Sequence, residues 1–271
     1  MRQLLVDSLP AADGTLTLRG SQYRYVRRVL RKGAGDSLEC RFVDGSLSFC
    51  TVLEVDDSRK SITLSVSEGG IPQAELGYSQ SASSLALDNF PRLVLLQWIL
   101  KGQKMDLVIR QATEAGVMDI IPVVGDRSIP EREVSSRSER WLRIVREARQ
   151  QSGSAVPTTI HPATMSSAIV NVSNQLLSGE SPTRLVFTEA PLALKSLHQY
   201  LDSGPATVVL AIGPEGGMSP AELTALGTAG FNCVHFKTNI LRAETCALYA
   251  VAATLSALTE RDTWQLKEYI C

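Results

Sequence analysis

From residue 92 onward, five compact apolar runs, at 92–98, 119–124, 184–187, 206–212 and 232–236, alternate with stretches of helical period, and no other feature restricts the fold as strongly. Runs this short suit strands rather than buried helices. Between them, 101–116 places Met105, Val108, Ala112 and Ala115 on one helical face, and 138–153 does the same with Trp141, Ile144, Val145 and Ala148. Ser219-Pro220-Ala221-Glu222 reads as a capping box with proline at the first helical position, and Gly230 closes that helix. Residues 244–258 form an apolar helix rich in small side chains. Its Ala247, Ala250, Ala253 and Ala257 suit either close contact with a second copy or packing on the chain's own sheet. Strands alternating with helices predict an α/β domain whose parallel sheet is covered on both faces.

The first 68 residues follow a different pattern. Extended runs at 38–43 and 47–55 flank Asp44-Gly45, a hairpin signal, and 61–66 adds a strand. One helix, 21–32, ends at Gly33. Short strands with one helix predict a small β-barrel. Residues 69–90, rich in Gly, Ser, Gln and Pro with no apolar period, read as a linker, which leaves 91–271 as the α/β domain. On a helix over 21–32, Arg24, Arg27, Arg28 and Arg31 form one stripe while Tyr23, Val26 and Leu30 face inward. Such a stripe is either a solvated face or a contact for an RNA backbone; four arginines with no acid among them favour RNA.

Hydrophobic residues make up 44% and charged residues 20% of the 271, ordinary for a globular chain. No segment has the apolar length that spans a bilayer. The start of the chain lacks a long apolar core and carries Asp7, so no signal peptide is expected and the cytoplasm is the expected compartment. A net charge of −1 does not advertise nucleic-acid binding, so charge has to be read segment by segment. Five cysteines, Cys40, Cys50, Cys233, Cys246 and Cys271, stand at no metal-ligand spacing, and no metal is expected. With Asp44-Gly45 as the turn, Cys40 faces Phe49 and Cys50 points to the opposite face, so all five read as reduced thiols.

Two segments could carry chemistry. Residues 210–217, Leu-Ala-Ile-Gly-Pro-Glu-Gly-Gly, join an apolar strand to a capped helix. Three glycines let a ligand approach the main chain, at the place where parallel sheets commonly bind ligands. A tight strand-to-helix turn would look the same. The loop is neither a P-loop, lacking Lys-Ser/Thr, nor a dinucleotide fingerprint, lacking G-x-G-x-x-G. Residues 239–247 also leave a strand and enter a helix. Glu244 there suits the helix dipole as a simple capping charge, but Arg242 does not, since a cation is disfavoured at a helix N-terminus. That favours a ligand or RNA role for Arg242. His235, on a strand, reads as a packed residue before a catalyst, and His161 and His198 have no motif around them.

Gly213-Pro214-Glu215-Gly216-Gly217 and Ile240-Leu241-Arg242-Ala243-Glu244-Thr245 together resemble the signature of the RsmE family, ribosomal small-subunit RNA uridine N3-methyltransferases of the SPOUT superfamily. Further segments match in order: Tyr25-Val26-Arg27-Arg28-Val29-Leu30, Lys101-Gly102-Gln103-Lys104-Met105-Asp106, Ala112-Thr113-Glu114-Ala115-Gly116, Arg127-Ser128, Arg140-Trp141 and the stretch 147–153. The similarity covers nearly the whole chain. The family usually has basic residues where Gln111 and Ser154 stand, and Thr where Ala243 stands.

The resemblance implies a C-terminal parallel-sheet SPOUT domain with a deep trefoil knot, an exception to the rule that chains are unknotted, behind a small PUA-like β-barrel. It also implies a homodimer with each methyl-donor pocket near the subunit interface. S-adenosyl-L-methionine is the implied cofactor. Glu189, Gly213, Pro214, Gly217, Ile240, Leu241 and Thr245 would bind it, largely through backbone groups and apolar walls. Arg242 would be the catalytic group and Arg24, Arg27, Arg28 and Arg31 the RNA contacts; no general base is identified. The implied partner is 16S ribosomal RNA, in the assembled 30S subunit. Three rival readings remain: a SPOUT enzyme acting on tRNA or a ribose 2′-OH, an RNA-binding assembly factor without catalysis, and a nucleotide hydrolase, which the missing Lys-Ser/Thr disfavours.

Overall fold

Alternating burial in the N-terminal strands sets one small core. A computed structural model of the chain describes residues 3–66, 90–128, 134 and 137–260; the stretch 69–89, read as linker, and Cys271 lie outside these. By internal contacts the chain forms two units, residues 1–85 with 149–155, and 86–148 with 156–271. In the first, β1 (Leu4–Leu5), β2 (Thr15–Arg19), β3 (Ser37–Arg41), β4 (Leu47–Asp56) and β5 (Ser61–Val66) form a sheet in the order β1-β3-β4-β5-β2. Only the β1–β3 pair is parallel. Leu16, Leu18, Leu38, Cys40, Cys50, Val52, Ile62 and Leu64 are buried together. β1 and β2 are its two edges, so among the described residues the hydrogen-bonded order is open rather than closed.

Two expectations fail here for local reasons. The β3–β4 connection is not a two-residue turn. Phe42 N–H donates to Ser46 O at 2.9 Å, Gly45 N–H donates to Phe42 O at 3.0 Å, and Gly45 has φ +84°. That is a three-residue loop with a left-handed bulge, which slips the register by one. Cys40 therefore faces Ser48, and Cys50 faces Leu38. Both thiols are buried in the same core, and the neighbouring Cys50 thiol together with burial pushes the Cys40 thiol far up. The four described cysteines are unbridged.

The expected 21–32 helix is also broken up. Regular α1 covers only Gly20–Arg24, a π-helical turn follows at Tyr25–Val29, and Arg31 has φ +57°. Val26 still anchors the core, with Tyr23 and Leu30 packed against it. The wider π turn and the left-handed Arg31 mean that the four arginines do not form the straight stripe of a regular helix.

In the second unit, β6 (Arg92–Trp98), β7 (Asp119–Val124), β8 (Thr159–Ile160), β9 (Thr164–Met165), β10 (Thr183–Phe187), β11 (Thr207–Ile212) and β12 (Asn232–Val234) form a wholly parallel sheet. Its order is β12-β10-β11-β6-β7-β8, with β9 also pairing β7. Successive residues of a strand point to opposite faces, and the core divides accordingly. Leu93, Leu95, Val208, Leu210 and Ile212 join one cluster; Val94, Leu96, Trp98, Val209 and Ala211 join the other. Helices α2 (Lys104–Glu114), α3 (Ser138–Ser152), α5 (Leu197–Leu201) and α7 (Ala243–Thr259) cover the first face, and α4 (Ile169–Leu176) and α6 (Pro220–Thr228) the second. The alanine stripe of α7 is committed to the chain's own core: Ala247 and Ala250 are buried and Ala253 and Ala257 pack against the same cluster. This resolves the open choice for that face in favour of intrachain packing. Leu248 and Tyr249 are exposed elsewhere on the helix.

Candidate functional site

Three loops at the carboxyl ends of neighbouring strands β10, β11 and β12 enclose a cavity of about 540 Å³, within the range of small-molecule sites. The middle loop is held tightly. β11 ends at Ile212, and a Cβ on Gly213 would lie 3.2 Å from Met218 Cγ and 3.3 Å from its backbone nitrogen. Gly217 N–H donates to Pro214 O at 2.9 Å, and Gly217 takes φ +68°, a conformation that favours glycine. Ser219 then caps α6 in a reciprocal box with Glu222, with Pro220 in the first turn.

The third loop is continuous with an aromatic wall. Phe187 and Phe236 lie 5.1 Å apart between ring centres, and Phe236 meets Tyr249 edge-on at 4.7 Å. His235 lies just past β12, lines the cavity and sits 3.3 Å through Nδ1 from Thr188 O. It is thus both a packed residue and a cavity residue, where the strand pattern favoured packing over catalysis. Cys246 closes the inner end, and burial pushes its thiol up to about 11.

Charge is distributed unevenly around this cavity. Lys104, at the start of α2, reaches Glu215 Oε1 at 3.1 Å and Glu244 Oε2 at 3.6 Å, tying the glycine loop and the start of α7 to one helix. Hydrogen bonding to Glu215 raises the Lys104 ammonium. Burial works to raise Glu215, but its own backbone N–H, Lys104 and the Lys101 backbone N–H outweigh that and hold the carboxyl low. Arg242 is the N-cap of α7 and exposed, with no side-chain partner among the described residues. Arg127, on the loop after β7, donates from Nη1 to Gly216 O at 2.6 Å.

Of the residues proposed from sequence, Glu189, Gly213, Pro214, Gly217, Ile240, Leu241 and Arg242 all line this one cavity. Thr245 does not; it is exposed in the first turn of α7. Ile240 is 82% exposed, an apolar side chain held out at the rim. Arg24, Arg27, Arg28 and Arg31 belong to the other unit. There, Arg27 is engaged by Asp57 of the β4–β5 turn, Nε to Oδ1 at 3.2 Å and Nη2 to Oδ2 at 3.0 Å, while Arg24, Arg28 and Arg31 are exposed. Sequence reasoning assigned no role to Lys104, Arg127, Phe236 or Cys246 in the cavity. The first two do fall inside segments that carry the family resemblance, the only signal that pointed to them.

Residues 88–255 match the model of an RNA methyltransferase domain. Ribosomal RNA small subunit methyltransferase E of Synechocystis is 30% identical over 95% of this chain and 78% of its own length. Ribosomal RNA small subunit methyltransferase E 2 of Borreliella burgdorferi is 26% identical over 93% of this chain and 96% of its own. Among solved structures, the Neisseria gonorrhoeae methyltransferase E bound to S-adenosyl methionine superposes with a TM-score of 0.74 at 22% identity, covering 94% of this chain and 97% of that one. The matched RNA methyltransferase domain contains all three cavity loops. The chain belongs to the ribosomal RNA small subunit methyltransferase E family.

Proposed function

We propose that this chain transfers a methyl group from S-adenosyl-L-methionine to N3 of a uridine in 16S ribosomal RNA, acting on the assembled 30S subunit in the cytoplasm. Family membership supports the reaction class, and one structural observation carries the reading of the site. It is the cavity between three strand-end loops, lined by an arginine, Arg242, that is unpaired among the described residues. The residues fit the donor. Gly213 lets the glycine loop close on Met218, Phe187, Ile212 and Leu241 give apolar walls, and the backbone of 213–217 and 239–242 offers N–H and C=O groups. When bound, the donor supplies an electrophilic methyl on a sulfonium.

The chain's own part is positioning and charge. Holding the acceptor nitrogen in line with the methyl removes much of the entropic barrier. Uridine N3 is protonated at neutral pH; that proton leaves to solvent, and the N3 imide anion so formed attacks the methyl, with S-adenosylhomocysteine as the leaving group. Arg242, with no side-chain partner among the described residues, stabilises that anion. Arg24, Arg28 and Arg31, with Arg27, hold RNA phosphates from the N-terminal unit, which we read as PUA-like. We infer that the three cavity loops belong to a deep trefoil knot of the SPOUT type. We also infer a homodimer, supported by the exposed Leu248 and Tyr249 on α7, close to cavity residue Cys246 in sequence.

The test is nucleoside mass spectrometry after incubating the protein with isotopically labelled donor and small subunits lacking the modification. Labelled 3-methyluridine in 16S RNA is the expected product. Label on tRNA or on a ribose 2′-OH would reject the specificity, and absence of donor binding by calorimetry would reject the enzyme reading.

A further inference from the structure

We propose that Arg127 is a positioning residue of the donor cavity, and that buried Glu222 holds it there. The inference rests on reading the cavity as the donor site. Glu222 is 7% exposed. Its Oε1 accepts Trp98 Nε1–H at 2.8 Å and the Asp126 backbone N–H at 3.1 Å, and its Oε2 accepts the Ser219 backbone N–H at 2.7 Å. A capping box needs only the last of these. The other two tie α6 to the end of β6 and to the loop after β7.

That loop is tied at several points. Ser219 Oγ–H donates to Asp126 Oδ2 at 2.6 Å. Gly125 N–H donates to Ser128 Oγ at 3.1 Å, and Ser128 N–H returns to Gly125 O at 3.0 Å. A Cβ at Gly125 would collide with both the Trp98 ring and Glu222 Oε1, so the loop packs this closely only because residue 125 is glycine. Arg127 stands on this loop and reaches over β6 to the Gly216 carbonyl, in the middle of the cavity's glycine loop. Burying a carboxylate costs several kcal/mol unless its oxygens are satisfied; here the three N–H donors that satisfy it come from the two loops and the strand that must stay in register for Arg127 to touch Gly216.

If Glu222 acts through Arg127, both side chains belong to one unit, and their removal is not additive. Donor affinity of the full chain is measured by calorimetry with S-adenosyl-L-methionine for the wild type, R127A, R127K, E222Q and the R127A/E222Q double variant. Amide exchange at Gly216 and Gly217 is followed in donor-free protein. R127A and E222Q should each weaken donor binding about tenfold, the scale of one charged hydrogen bond. The double variant should bind no worse than the weaker single one, R127K should stay close to wild type because it keeps a cationic donor, and exchange at Gly216 and Gly217 should quicken in R127A. Arg127 is exposed, so R127A tests the idea without threatening the fold. Unchanged affinity in R127A, or losses that multiply to about 100-fold in the double variant, would overturn the inference while leaving the donor site intact. A wild type that binds no donor would instead remove the donor-site reading, and this inference with it.

Discussion

Replacing Arg242 with alanine should move stability and turnover in opposite directions. Arg242 is the N-cap of α7, it offers no side-chain cap, and its guanidinium has no partner among the described residues. A cation at a helix N-terminus opposes the helix dipole by roughly 0.3–1 kcal/mol. Arg242→Ala should therefore raise the melting temperature slightly, by about 1–3 °C in a domain of this size. If the guanidinium stabilises the N3 anion that attacks the methyl, the same change should cost on the order of 100-fold in single-turnover rate at saturating RNA. RNA and donor affinities should change little, because the neutral uridine bound before proton loss does not make that interaction. The assay pairs single-turnover methylation with RNA binding and a thermal melt. A normal rate at saturating RNA would show that Arg242 only binds RNA. A melting temperature several degrees lower would show that it holds the loop, and the rate loss would then say nothing about charge.

Gly217→Ala should weaken the donor through backbone strain of about 1–2 kcal/mol, not collision. The residue sits at φ +68° and a Cβ there would meet only Arg127 Nη1, at 4.0 Å; equal affinity by calorimetry would refute this. Cys246, pushed up to about 11 by burial, should react with iodoacetamide at pH 7.5 about 100-fold more slowly than an exposed thiol, and more slowly still with donor present; rapid labelling would contradict the burial. Arg28→Gln should lower the slope of log affinity against log salt by about 1, whereas Arg27→Gln, already engaged by Asp57, should lower it less; equal slopes would mean that the RNA surface pulls Arg27 from Asp57.

The central strands were legible to the residue, because β6 and β7 are buried on both faces and read as continuous apolar runs. Strands β8 and β9, two residues each, carry no period at all. Helix α4, Ile-Val-Asn-Val-Ser-Asn-Gln-Leu, is rich in β-branched residues, so its local preference argues against its tertiary state. The two cavity loops were legible because glycines and a misplaced cation mark them. Lys104 and Arg127 were not, since nothing in a periodicity tells which helix start or loop will reach a given cavity. The Cys40–Cys50 error shows the opposite weakness: the turn was found, but one extra loop residue inverted every side chain beyond it.

The same limit applies to charge. In sequence Arg27 and Arg28 are indistinguishable, nothing shows which anions will meet Lys104 or Arg242, and the net charge of −1 hides all four. Folding separates them by supplying anions from distant segments. Asp57 takes up Arg27, and Glu215 and Glu244 take up Lys104, whereas no anion among the described residues takes up Arg242. An exposed, paired cation contributes little to stability and has part of its charge already answered. An unpaired one at a helix N-terminus, beside a cavity, is held against local preference and keeps its full charge for an incoming group. Of the cations on this cavity, Arg242 departs furthest from what α7 alone would select, and departures of that kind are where function is expected to lie.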